Sequence, residues 1–238
     1  MNDSTTHAPG KRARVLKRVG ISLGVALVAL FSAHTAWTNS GSNEWQLVSD
    51  QDGIRISALK TPGYSLMKYK VNVRFDAELS EALFMLTDLD TGKDFGASDI
   101  QRIEEVSAPS VFYAYDTYKL ELPKPFGKVQ VVLLNQCYQD PKTGQFHINV
   151  YAAPNRIPHD GTVRRVVHLS NNWTLTPAAG GGVDIESVSE MDLGLPYVLA
   201  NLAMPEVIGS QIKAMREVMK TDRYKHGKPV LLSSSQTP

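Results

Sequence analysis

Four carboxylates, Asp184, Glu186, Glu190 and Asp192, recur at even spacing in the last quarter of the chain. Acid pairs are what general acid–base chemistry uses, but even spacing sets these four on one face of a single strand. Like charges aligned that way mark a side turned to solvent. The six histidines are scattered, with His147 two residues from Asn149 and His168 well downstream. A metal centre needs three or four converging ligands, so the histidines read as surface or rim residues and no metal is expected. The single cysteine, Cys137, closes the largely apolar run 129–137. One thiol forms no internal disulfide, and that run makes it a buried structural group rather than a nucleophile. The chain has no Gly-x-Ser-x-Gly, no His-Glu-x-x-His and no Walker-type glycine loop, so neither a catalytic residue nor a cofactor is expected. A cavity that binds a small molecule is mostly apolar, with one or two polar groups that fix orientation. Tyr118 and Asp116 share a strand face with Phe112 and Ala114, while Tyr113 and Tyr115 share the other.

Residues 162–220 must position any such cavity. Two extended runs, 163–177 and 183–192, are joined by Gly180-Gly181-Gly182, as in an antiparallel hairpin. A helix then sets Met204, Ile208, Gln211, Ile212, Met215 and Met219 on one stripe. That stripe must lie against the sheet just completed, either as plain core or as a lining whose methionines adapt to a flexible apolar guest. Upstream, alternation predicts strands at 53–59, 65–75, 99–106, 111–122, 128–137 and 145–152. Thr61-Pro62-Gly63-Tyr64 and Asp140-Pro141-Lys142-Thr143-Gly144 read as turns, and 80–86 as a helix capped by Ser80. The class is α+β, with about eight antiparallel strands, two helical insertions and one closing helix.

The 238 residues are 42% hydrophobic and 21% charged, which suits one globular domain plus an extension. Lys11, Arg12, Arg14, Lys17 and Arg18 precede an uncharged run at 19–37. At the helical rise this run spans about 28 Å, close to the thickness of a bilayer core. Basic residues ahead of it hold segment 1–18 in the cytoplasm, so 19–37 is expected to be a signal anchor with the rest exported, periplasmic in a bacterium. A cleaved signal peptide has the same layout and would leave a soluble periplasmic or secreted protein. Cleavage after Ala33 or Ala36, however, places Phe31 or His34 where a small residue is normal. The expected divisions are then a linker at 38–44, a domain at 45–222 and a disordered tail at 223–238. Beyond residue 40 the chain carries 20 basic against 23 acidic residues and no basic stripe, so nucleic acid is not an expected partner.

Val163-Arg164, Trp173-Thr174-Leu175-Thr176-Pro177, Asp192-Leu193-Gly194-Leu195-Pro196 and Asn201 lead into the closing helix in that order. Glu44-Trp45-Gln46-Leu47-Val48 and Asp52-Gly53-Ile54-Arg55-Ile56 open the domain, with the helix end 82–88 and Ile103-Glu104 between. Together these resemble the START domain, the steroidogenic-acute-regulatory-related lipid-transfer family of the SRPBCC/Bet v 1-like superfamily, across residues 44–220. The resemblance implies a helix-grip fold, in which a curved antiparallel sheet wraps around a long C-terminal helix. It also implies non-enzymatic binding, and transfer, of a lipid, sterol or other hydrophobic ligand in the cavity between them. Phe112, Tyr118, Leu133, Met204, Ile208, Ile212 and Met215 are the expected lining, with Arg164, at the family's V-R position, as the expected polar anchor. Polyketide aromatase/cyclases share the fold and supply an enzymatic alternative, which export from the cytoplasm disfavours. An interaction protein with a filled core is the other alternative. The family's R-D-F segment reads Lys128-Val129-Gln130 here, without the aspartate, so the pocket is either more apolar or anchored elsewhere.

Overall fold

Alternation of apolar and polar residues carries most of the chain into strands, and the computed structural model describes residues 11–108, 111–227 and 229. A long helix α1 (Lys11–Asn39) precedes β1 (Trp45–Gln51), β2 (Ile54–Leu59) and β3 (Lys68–Phe75). Two short helices, α2 (Leu79–Thr87) and α3 (Thr91–Asp94), lead to β4 (Ala97–Ala108), β5 (Val111–Glu121), β6 (Lys128–Gln139) and β7 (Phe146–Ala152). After the two-residue β8 (Arg164–Arg165) come β9 (His168–Pro177), β10 (Val183–Asp192), α4 (Tyr197–Val218) and α5 (Asp222–Lys225). The sheet runs β1-β2-β3-β10-β9-β7-β6-β5-β4, antiparallel throughout, with β8 added in parallel on β6. The last strand, β10, therefore pairs with β3 inside the sheet, and α2–α3 carry the chain across to β4 at the far edge. The fold is α+β, a large curved antiparallel sheet with α4 lying against it.

Period-two alternation gives the sheet one apolar, concave face. The main core joins Ile54, Val71, Phe75, Phe146, Leu175 and Ile185 of the strands to Leu83 and Met85 of α2 and to Ile212, Met215 and Met219 of the last helical turns. A second, smaller core of Leu122, Val129, Val131, Leu133 and Val166 lies toward the other end of β6. The four acids of β10 fall on the convex side. Asp184, Glu186 and Asp192 are exposed, and Glu190 pairs with Lys68 at 2.9 Å and His168 at 2.8 Å. The β9–β10 connection uses Gly180, Gly181 and Gly182 at φ of 85°, 96° and 83°, a run of left-handed residues that only glycine adopts without strain.

Several elements depart from the sequence pattern. β1 joins the strands already expected. It is exposed on both faces along nearly its whole length, so burial leaves no period-two signature there. The run 163–177 breaks into β8 and β9, because Val166 turns inward at 3% exposure and bonds to Gln130 O at 2.9 Å. Glu78 rather than Ser80 caps α2, with the Glu81 carboxylate accepting the Glu78 N–H at 2.9 Å in a capping box. Gln211, expected on the α4 stripe, faces solvent.

The domain also passes the expected boundary at residue 222. Tyr224 of α5 is 1% exposed in the main core, with its hydroxyl bonded to Asp94 and, at 3.3 Å, to Thr91. Arg223 reaches Asp94 at 3.2 Å and also pairs with Asp88. These bonds pin the start of the expected tail; residues 228 and 230–238 lie outside the described residues. Replacing Tyr224 by Ala removes a buried aromatic ring and should cost about 3–5 kcal/mol of unfolding free energy. Chemical denaturation checks this, and an unchanged midpoint would return residues 223–227 to the tail.

Candidate ligand-binding site

Strand register arranges the concave face in rows. Phe112, Cys137, Ile148, Trp173, Ser187, Val71 and Ile56 lie opposite one another across seven strands, and all are buried. The next row holds Ala114, Asn135, Val150, Asn171, Ser189 and Tyr69. Ala114 and Tyr69 close its ends, while the middle four are only half-buried. A third row begins with Arg102, Asp116, Leu133 and Ala152. Val150 packs against both cores, so the half-open row lies between them.

The helix above follows the same gradient. Ile212, Met215 and Met219 are 3%, 4% and 5% exposed, while Ile208 and Met204, one and two turns earlier, are half-buried. α4 is thus buried over its last turns and half-buried around Met204 and Ile208. Pro205 lies between those two residues. It has no N–H to give the Asn201 carbonyl, and the Tyr69 hydroxyl donates to that carbonyl at 3.1 Å instead. Burial pushes the Tyr69 phenol up to about 12, so it acts as a neutral donor.

Polar chemistry converges on Asp116. Arg102 donates from Nε to Asp116 Oδ1 at 2.9 Å and from Nη2 to Oδ2 at 3.4 Å, and Asn135 Nδ2 donates to Oδ2 at 2.7 Å. Arg102 also pairs with Glu105 and lies 5.3 Å from the Phe112 ring centroid. Burial disfavours its charge, but the Asp116 and Glu105 carboxylates outweigh that and hold the guanidinium above its ordinary value. Farther along the middle row, the Asn171 carboxamide oxygen is buried without a hydrogen-bond partner among the described residues.

The residues singled out from sequence divide by position. Phe112 and Leu133 are buried on the concave face, and Met204 and Ile208 are half-buried and packed against the main core. Ile212 and Met215 lie in the sealed core. Tyr118 packs beside the second core, where burial and then the Asp116 charge push its phenol up to about 12. Arg164 does not join this group. It is exposed on β8 and donates to the carbonyls of Leu193 and, at 2.7 Å, Gly194, tying β8 to the β10–α4 loop. Lys128, at the divergent R-D-F position, is exposed and 3.8 Å from Glu121.

Sequence reasoning passed over Arg102, Asn135 and Asn171. Asn135 carried a signal, as a polar residue in register with Val131, Leu133 and Cys137 on an otherwise apolar face. Arg102 did not, because register shifts on both sides of it in β4 scramble the alternation. Among the described residues no cluster of His, Cys, Asp and Glu is placed to hold a metal ion. Burial pushes the Cys137 thiol up to about 12, well above its ordinary value, so almost none is thiolate near neutral pH. Iodoacetamide at about pH 8 should leave the native thiol unmodified and alkylate it fully in denaturant. Rapid native labelling would mean that solvent reaches the buried row.

Comparison with known proteins follows this geometry. The STAR-related lipid transfer protein (fragment 25-204) from Xanthomonas axonopodis superposes with a TM-score of 0.67 at 21% identity, over 74% of this chain and 99% of that one. Human STARD10 gives 0.64 at 14% identity, over 94% of this chain and 86% of that one. Human StAR-related lipid transfer protein 5 gives 0.63 at 13% identity, over 85% and 96%. No protein-family model matches the chain, and no curated protein matches it. At these identities the likeness is one of architecture: this chain has the START-domain fold.

Proposed function

We propose that this protein binds one lipid-like hydrophobic molecule, without chemical conversion, between the concave face of the sheet and the N-terminal half of α4. The observation that carries this reading is the half-open row Asn135, Val150, Asn171 and Ser189 on the otherwise buried concave face. A packed core does not set two carboxamides and a hydroxyl in line and leave an acceptor unpartnered; a site that receives a polar ligand group does. The apolar residues on either side accommodate the hydrocarbon. The Asp116–Arg102–Asn135 cluster holds a headgroup or hydroxyl, a role for which Arg164 is too far out. Two of the neighbours carry lipid transfer in their names, which supports the same reading.

Val19–Asn39 of α1 has a mean hydropathy of 1.8 and is exposed as far as Ala36, as suits a membrane span or a signal sequence. As an uncleaved span preceded by basic residues, it would anchor an exported domain at the membrane surface, periplasmic in a bacterium. Transfer would then be restricted to bilayers within reach of the anchor.

Two variants test the binding reading. Ile208→Trp places a large ring over the half-open row. In a filled core such overpacking costs about 1–3 kcal/mol. Over a ligand cavity it should leave the melting temperature nearly unchanged and sharply weaken binding of a fluorescent phospholipid. Lower stability with unaltered lipid binding would count against the cavity. The second test separates anchoring from structure. Asp116→Leu alone leaves the half-buried Arg102 with Glu105 as its carboxylate partner and Asn135 Nδ2 without its acceptor, and should cost about 1–3 kcal/mol, most of which the double variant Arg102→Met/Asp116→Leu restores. The restored double variant should still bind lipid poorly; wild-type affinity in it would make the pair purely structural.

A further inference from the structure

The last turn of α1 is bonded to the domain rather than followed by a free tether. Trp37 Nε1 donates to Ser65 O at 2.8 Å, the Gly63 N–H donates to Thr38 O at 2.8 Å, and the Thr38 and Ser65 hydroxyls lie 3.0 Å apart. Lys60, 9% exposed, closes the helix end. Its ammonium donates to the carbonyls of Thr38, Ser40 and Thr61 at 3.2, 3.1 and 3.2 Å and sits 5.3 Å from the Trp37 ring centroid. A cation there complements both the orphan carbonyls and the negative end of the helix dipole. Tyr197, the first residue of α4, stacks on Trp37 with centroids 6.1 Å apart and meets the His34 ring at 5.4 Å. One turn on, Asn201 secures the same loop, accepting the Met67 N–H at 3.1 Å and donating to Ser65 O at 2.9 Å.

This joint fixes a depth. His34 precedes Trp37 by one turn, about 4.5 Å along α1. A residue of α4 that touches both rings stands level with the end of the apolar run, where interfacial aromatics sit. Beside it, α4 turns Val198, Leu199 and Leu202 outward at 51%, 51% and 76% exposure, on the side opposite Tyr197, Asn201 and Met204. Farther along that side the exposed residues become Glu206 and Lys213. Tyr64, 58% exposed, is flanked by Gly63 and Ser65, both bonded to α1.

The geometry points to a second membrane contact: Tyr64, Val198, Leu199 and Leu202 rest in the interface of the bilayer that α1 spans, and hold the open end of the cavity against it. This inference rests on α1 being a membrane span. A lipid surface is the occupant because the patch adjoins the apolar helix through bonded residues, and because it gives way to charge with distance from that helix. The ligand is then exchanged with the anchor's own bilayer rather than through water.

The test uses the full chain in vesicles of phosphatidylcholine and phosphatidylglycerol, with an environment-sensitive fluorophore on Leu202→Cys or, for comparison, Lys213→Cys. The fluorophore at position 202 should emit at shorter wavelength and be quenched by lipids spin-labelled near the headgroup, while that at 213 behaves as in water. A water-like signal at 202 in a chain that resists alkaline carbonate extraction would overturn the second contact and spare the anchor. A chain that carbonate releases would overturn both. Leu199→Asp/Leu202→Asp alters only exposed positions and should keep the melting temperature while slowing lipid exchange with the host vesicle about tenfold. An unaltered exchange rate would contradict the role of the patch.

Discussion

A single helix cannot cover this sheet. Nine strands side by side at about 4.8 Å spacing span roughly 38 Å, whereas a helix with its side chains is about 10–12 Å across. Curvature brings part of the concave face to α4, and α2, α5 and the β7–β9 connection cover more. The strip between the two cores is left half-open. Everything functional follows from that shortfall in cover. Where cover is complete the face is apolar and sealed, as at Phe146, Leu175 and Val183. Where it fails, the sequence supplies Asn135, Asn171 and Ser189, and the Asn171 carboxamide oxygen is left without a partner among the described residues.

Pro205 links this strip to the end of the apolar helix α1. The missing N–H frees the Asn201 carbonyl for Tyr69 of β3, while the Asn201 side chain holds the β2–β3 loop. That loop in turn holds the end of α1. Sheet, closing helix and α1 therefore meet within a few residues. Asp116 plays the matching part across the sheet, drawing Arg102 from β4 and Asn135 from β6 to one strand.

The class, the closing helix and most strands were legible from alternation, because one face of each is buried and the other wet. β1 was harder, since it is exposed on both sides, and the break at Val166 depends on a parallel pairing that no local pattern encodes. Phe112, Leu133, Met204 and Ile208 were readable as apolar positions of the concave face and of α4. The Asp116 cluster was not, since Arg102 reaches Asp116 only through the bulged register of β4. Arg164 was singled out for its match to a family position, and its side-chain direction on a two-residue strand is set by its neighbours, the Leu193 and Gly194 carbonyls. The joint at Lys60 was equally hidden, since a lysine in a turn reads as solvated until the end of a helix is placed upon it.

Native mass spectrometry of the full chain, released from detergent or nanodiscs, addresses the central claim most directly. A protein with one internal site should carry a single lipid mass that survives collisional activation strong enough to strip boundary lipids. It should exchange that mass one for one when another lipid is added. A chain that emerges bare, and stays bare after incubation with phospholipids, fatty acids and sterols, would contradict a ligand-filled strip and leave the sheet and α4 as a closed core.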